Sequence, residues 1–190
     1  MNVYDFDKTI YDGDCTVDFY LYCLKKYPCI YKKIPEVLWY GLLFKLGVVA
    51  KKEFKSRFFK FATLVPDIDG AVGDFWIDGQ KKIKEFYIKT QKEDDVVISA
   101  SPTFILDKIC EILGIKHLLA TEVDMKTGKI VGENCYGEEK VRRFYGAGHE
   151  EGSIEEFYSD SLSDSPLAEI AKTAYIVQGE KLIPWNEYKK

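Results

Sequence analysis

From Val96 onward the chain alternates between short β-branched runs and amphipathic helical stretches, and that alternation restricts the fold more than any other feature. Val96-Val97-Ile98-Ser99 is a compact apolar run, of the kind that suits a strand buried on both faces. Pro102 suits the first position of a helix that carries Ile105, Ile109 and Ile112 on one face and stops at Gly114. Leu118 to Val131 reads as a strand and a hairpin, with Thr127-Gly128 at the turn. A helix over Tyr136 to Tyr145, a strand over Ile154 to Tyr158, a short helix over Pro166 to Lys172 and a last strand over Ala174 to Val177 follow. Such a chain belongs to the α/β class, with a Rossmann-like three-layer α/β/α core and a mostly parallel sheet.

The first strand lies far from the others. It covers Asn2 to Phe6 and ends in the turn signals Asp12-Gly13. From Asp14 to about Thr90 the pattern is helical. Asp14 suits the N-cap of a helix through Lys26. A second helix runs from about Tyr31 to Leu46, and a third over about Val49 to Ala62 with Phe54, Phe58 and Phe61 at helical spacing. A fourth, broken by Gly73 and Gly79, ends near Lys89. The expected organisation is a split core (1–13 with 91–190) and an inserted helical-bundle cap (14–90). Charge divides along the same line. The insert holds 14 Lys and Arg against 9 Asp and Glu, while the remainder holds 13 against 22.

A net charge of −4 lacks the electrostatic footprint of a nucleic-acid binder. The five cysteines are odd in number and form no CxxC pair, so a disulfide framework or zinc site is not expected and a reducing, cytoplasmic setting is. The N-terminus shows no basic region followed by an apolar stretch, so no signal peptide is expected. The longest nearly apolar run, Val37 to Ala50, is too short to span a bilayer. It is followed at once by Lys51, Lys52, Lys55 and Arg57, so membrane contact through the cap stays open.

Two acidic constellations carry the chemistry. Asp5 and Asp7 end the first strand and point the same way when the backbone is extended. Asp160 and Asp164 follow the Ile154 to Tyr158 strand. In a doubly wound sheet both clusters reach the same edge, where such sheets bind ligands. Oxygen ligands without His or Cys suit Mg²⁺, which accepts phosphate as a co-ligand. Ser99, closing its strand before a helix entrance, offers a hydroxyl and backbone N–H groups to an anion. His117 and His149 lie outside every motif and receive no role.

The ordered set DFDKT, VVISAS, GEEK and YSDSLSD resembles the four motifs of the haloacid dehalogenase superfamily. The helical insert after the first motif and the SASP form of the second are similar to its phosphoserine phosphatase-like branch. The resemblance implies a Mg²⁺-dependent phosphatase acting on a small phosphate monoester. It implies Asp5 as nucleophile, Asp7 as general acid and base, and Lys140 as the charge-neutralising partner. Thr9, Ser99, Ala100 and Lys140 would bind the phosphate. Asp5, the Asp7 main-chain carbonyl, Asp160 and Asp164 would hold the metal. Asp14 and Arg57 would read the substrate. The chain departs from phosphoserine phosphatases at Ser99-Ala100-Ser101-Pro102, where they usually show Ser-Gly-Gly, and at Ser161-Leu162-Ser163, where they are Gly-rich. The alternatives are therefore a phosphoserine phosphatase proper, a lipid-phosphate (phosphatidylglycerophosphate-type) phosphatase, a phosphotransferase, or a non-catalytic phospho-accepting module.

Overall fold

The computed structural model describes residues 1–188. Its strands are β1 (Asn2–Tyr4), β2 (Val96–Pro102), β3 (His117–Thr121), β4 (Val123–Asp124), β5 (Lys129–Ile130), β6 (Glu156–Ser159), β7 (Thr173–Gln178) and β8 (Lys181–Pro184). One six-stranded sheet has the order β3-β2-β1-β6-β7-β8, and β4-β5 is a separate hairpin. All neighbours in the large sheet are parallel except β8, which runs antiparallel to β7. Val3 and Tyr4 pair with Val96 and Val97 on one side and with Phe157 and Tyr158 on the other. The first strand is thus central although it is remote in sequence. The α/β class and the mostly parallel sheet agree with the sequence reading.

Alternating side chains divide the core in two. Val3, Val96, Ile98, Phe157 and Ile176 pack on one face of the sheet. Tyr4, Val97, Tyr158 and Val177 pack on the other. Helices cover both faces: α6 (Thr103–Leu113), α7 (Glu138–Gly146), α8 (Ser165–Ile170) and the terminal α9 (Trp185–Tyr188) follow β2, β5, β6 and β8 in the chain. The first five α-helices of the chain, αA (Cys15–Lys26), αB (Ile34–Lys45), αC (Lys51–Phe59), αD (Ile68–Gly79) and αE (Glu85–Thr90), all lie between β1 and β2 and precede α6.

The insert is no detached lobe. Phe19, Phe61 and Trp76 belong to the same buried cluster as Tyr4, Val97 and Ile105. Trp76 meets Phe6 and Tyr11 edge-on and donates its indole N–H to the Ile105 carbonyl at 2.7 Å. Helix αB contributes no buried residue, and αC only Phe59. Helix αC instead docks on the core from above. The Ile130 amide donates to Ser56 Oγ at 3.1 Å. At Gly128 (φ +71°) a Cβ would lie 2.7 Å from the Lys60 backbone, so this turn needs glycine for both conformation and clearance.

Several expected boundaries move. The second helix does not begin at Tyr31, because Pro35 lacks an N–H and clashes with a preceding helical turn. A 3₁₀ segment covers Pro28–Lys33 and αB starts at Ile34. Gly73 does not break αD, whose buried Ala71, Val72, Phe75 and Trp76 outweigh a propensity cost of about 1 kcal/mol. The chain separates only after Gly79, with αE as a distinct helix. Ala174 to Val177 is not the last strand. Gly179 (φ 60°) turns the chain back into β8.

Candidate active site

The carboxyl ends of β2, β1 and β6 lie side by side, and each delivers part of one cluster. Asp5 follows β1, its amide bonded to the Tyr158 carbonyl at 2.9 Å. Lys8 then adopts φ 56°, uncommon for a residue with a side chain. That turn is fastened by Lys8 N to the Gly13 carbonyl at 2.8 Å and by Lys84 Nζ to the Lys8 carbonyl. A cavity of about 380 Å³ opens above it.

Lys140, from the first turn of α7, enters from below. Its Nζ donates to Asp5 Oδ1 and Asp164 Oδ2, both at 2.7 Å. Lys140 and Asp164 are 2% and 3% exposed and Asp5 8%. Burial pushes the Asp5 carboxyl up to about 7 against the attraction of Lys140, with Asp164 adding to the rise. The two carboxylates hold the ammonium charged despite burial. Ser159 Oγ also donates to Asp164 Oδ2 at 2.8 Å.

Asp7 is oriented separately. Its Oδ1 accepts the Cys15 amide at 2.7 Å, and its Oδ2 accepts Ser101 Oγ. Ser101 in turn shares a hydrogen bond with Thr16 Oγ1 at 2.8 Å. Burial and Asp14 raise the Asp7 carboxyl, while the Cys15 and Ser101 donors restrain the rise. Ser99 Oγ accepts the Ser101 amide at 3.1 Å. The Ala100 carbonyl accepts Lys55 Nζ at 2.6 Å, and Asn134 Oδ1 accepts it at 2.9 Å. Burial and neighbouring Lys51 push the Lys55 ammonium down to about 8.

The structure brings Asp5, Asp7, Ser99, Ala100, Lys140, Asp160, Asp164 and Asp14 to the cavity wall. Asp14 also caps αA, accepting the Val17 amide at 2.9 Å. Two expectations fail on placement. Thr9, expected beside the phosphoryl group, is fully buried beneath the turn and does not line the cavity. Arg57, expected to read the substrate, points away. It meets Glu36 at 3.4 Å and lies 4.6 Å over the Tyr40 ring. Two residues along a helix is a rotation of about 200°, so Lys55 occupies the cavity face in its stead. Ser101, Thr16 and Asn134 also belong to the site, and the sequence marks Ser101 only by its place two residues after the motif serine.

The donors suit a hard cation. Asp164 Oδ1 and Thr9 Oγ1 are buried without a hydrogen-bond partner, and an orphaned carboxylate oxygen calls for a donor or a cation. Among the described residues no three Asp, Glu, His or Cys side chains form a complete cage. Mg²⁺ needs none, since one or two carboxylates with waters and a phosphate suffice.

An α/β sheet with two acidic loops and a buried lysine at one edge is the arrangement that the structure shows. The family follows from comparison: the profile of the haloacid dehalogenase-like hydrolases matches residues 3–169, and the chain belongs to that family. A probable phosphatase of Mycobacterium tuberculosis (strain ATCC 25618 / H37Rv), Rv3661, is 36% identical over 94 residues. The match covers 46% of this chain and 33% of that protein, so the chain spans about a third of the length of that curated relative. A protein of unknown function from Bordetella pertussis Tohama I superposes with TM-score 0.73 at 18% identity, over 93% of this chain and 88% of the other. A phosphoserine phosphatase solved as a phospho-aspartyl intermediate analogue gives 0.52 at 18% identity, over 92% and 84%. These two likenesses concern the fold. The expected superfamily and a phosphoserine phosphatase-like architecture hold.

Proposed function

We propose that the protein hydrolyses a small phosphate monoester through an aspartyl phosphate on Asp5. The observation that carries the reading is the convergence of Asp5, Lys140 and Asp164 with a separately held Asp7 at the ends of adjacent strands. A carboxylate of Asp5 attacks phosphorus. The bond from phosphorus to the ester oxygen breaks, and that oxygen takes a proton from Asp7. Water then attacks the phosphoryl group, gives its proton back to Asp7, and Asp5 leaves. Asp7, raised by burial, carries a proton for the first half, and the Cys15 and Ser101 donors favour its charged form for the second. Lys140 holds Asp5 in one orientation and offsets negative charge beside it.

Asp5, Asp160 and the Asp7 main-chain carbonyl would hold Mg²⁺, with Asp164 in support. Its chemistry is to screen charge between an anionic nucleophile and an anionic phosphate. The leaving group would face the insert, where Lys51, Lys55, Phe54, Phe58 and Asp14 line the cavity. A volume near 380 Å³ fits a small molecule. We place the reaction in the cytoplasm, a setting supported by five free cysteines, four of them buried.

The test is release of phosphate from an aryl phosphate with and without Mg²⁺, in wild type and Asp5→Asn. Activity retained by Asp5→Asn overturns the nucleophile. A panel of amino-acid, sugar, nucleotide and glycerolipid phosphates names the substrate, and an added alcohol separates hydrolysis from phosphotransfer.

A further inference from the structure

The outward face of αB has no use in the chemistry and no partner among the described residues. Leu38, Trp39, Leu42 and Leu46 recur at helical spacing and are between 48% and 68% exposed. Val48, just past the helix, is 67% exposed. The opposite side of αB is engaged: Phe44 stacks on Phe54 at 5.6 Å, Tyr40 lies under Arg57, and Glu36 bonds Arg57 and Lys60. The apolar stripe is therefore a separate face and not part of the helix packing.

Its surroundings are cationic. Between Lys25 and Lys52 the chain has seven lysines and one acidic residue, Glu36. Glu36 is already held by Lys33, Arg57 and Lys60. Lys51 and Lys52, which follow the apolar run, face the core through the Tyr136 ring and Glu133. Lys55 faces the cavity. The lysines at the two ends of the stripe are Lys32, in the segment just before αB, and Lys45, in its last turn, both exposed and without an ion pair among the described residues.

We propose that αB docks on an anionic lipid surface, its Leu38-Trp39-Leu42-Leu46 stripe in the interface and Lys32 and Lys45 against the headgroups. An apolar stripe with Trp and a lysine fringe suits that boundary. No described helix is long and apolar enough to cross a membrane, so αB lies along the surface. The same fringe argues against a second copy of the chain. A symmetric contact through the stripe would set the lysines against themselves, whereas anionic headgroups oppose them with unlike charge.

The full chain is tested by flotation with phosphatidylcholine vesicles, with and without phosphatidylglycerol. Tryptophan emission reports the site, because Trp76 and Trp185 are buried and Trp39 is not. Wild type floats with phosphatidylglycerol vesicles, its emission shifts to the blue, and salt weakens both. Leu38→Ser/Leu42→Ser abolishes flotation while keeping the wild-type circular dichroism and aryl phosphatase rate. Lys32→Gln/Lys45→Gln binds about 30-fold more weakly, from about 1 kcal/mol per lysine near an anionic surface. Three results overturn the assignment. One is no flotation of wild type on anionic vesicles. Another is equal flotation of the serine variant. The third is a wild-type dimer that this variant makes monomeric, since a second copy would then cover the face.

Discussion

Replacing Lys140 by Met probes the buried charge cluster directly. The variant keeps an apolar stem and removes the ammonium that reaches Asp5 Oδ1 and Asp164 Oδ2 at 2.7 Å each. Removing one partner of a buried ion pair costs about 3–5 kcal/mol, and here two carboxylates lose their cation. Asp5 has an escape, which is to keep a proton. Burial already holds it near 7 with Lys140 present, and without Lys140 it rises further. A carboxyl raised on folding binds its proton more tightly in the folded state. Stability therefore falls as pH climbs from the ordinary carboxylate range to the folded value. In wild type that decline ends near pH 7. In Lys140→Met it continues above 7, at up to about 1.4 kcal/mol per pH unit. The stability difference between the two proteins is thus smallest near pH 5 and grows above pH 7, by up to about 3 kcal/mol at pH 9. Urea unfolding at pH 5, 7 and 9 in a chelating buffer measures it. A difference that is flat in pH, or largest at pH 5, refutes the coupling of Asp5 to Lys140.

Ser101→Ala removes a donor to the Asp7 carboxylate, a bond worth about 1.5–3 kcal/mol when the acceptor is charged. Steady-state kinetics should show kcat down about 10–100-fold, with the pH limb assigned to Asp7 moved to higher pH because that donor favours its charged form. Lys55→Gln should raise KM for phosphate esters while Arg57→Gln leaves it unchanged, and wild-type KM should climb as pH passes about 8, where Lys55 loses its charge. Hydrogen exchange followed by mass spectrometry should find αB amides exchanging well before those of αD, because αB buries no side chain and αD buries five residues.

What was legible in the sequence was whatever follows from strand ends. Asp5, Asp7, Asp160 and Ser99 sit where a parallel sheet presents its carboxyl edge, and two acidic groups after two predicted strands suffice to bring them together. Lys140 was different: a lysine in the first turn of a helix carries no local mark, and only the order of motifs singled it out. Thr9 and Arg57 went astray because their placement depends on quantities that spacing does not encode. The positive φ at Lys8 tucks Thr9 under the turn, and nothing in a lysine announces that conformation. Arg57 and Lys55 differ by the rotational phase of αC, which is set by Phe59 entering the core. Ser101 is hidden by Ser99, since hydroxyls two residues apart on an extended segment face the same way and only the fold assigns one to Asp7.

The shared core also decides where the insert can open. Gly13 and the Thr90 to Asp95 segment connect it to the sheet and are the natural places for hinges. Yet Thr90 Oγ1 accepts the Tyr4 hydroxyl, Asp95 takes the Asn2 and Lys92 amides, and Tyr87 packs edge-on against Tyr4. Swinging the whole insert about those strands would expose Phe19, Phe61 and Trp76, at about 1.5–3 kcal/mol for each large side chain. Lifting αC breaks much less. It uncovers one such side chain, Phe59, and loses the exposed Lys52–Glu133 pair, the Lys51 contact with Tyr136, the Lys55 bonds to Ala100 and Asn134, and the Ser56 bond to Ile130, all of which swinging the whole insert would lose as well. An exposed pair is worth about 0–1 kcal/mol and a typical hydrogen bond about 1 kcal/mol net. Regaining water frees Lys55 from the burial that depresses it, which lowers the cost again. The cheaper motion is therefore a hinged lift of αB and αC over an αA–αD base that stays packed on the sheet, and it uncovers the cavity on the side where the leaving group would depart.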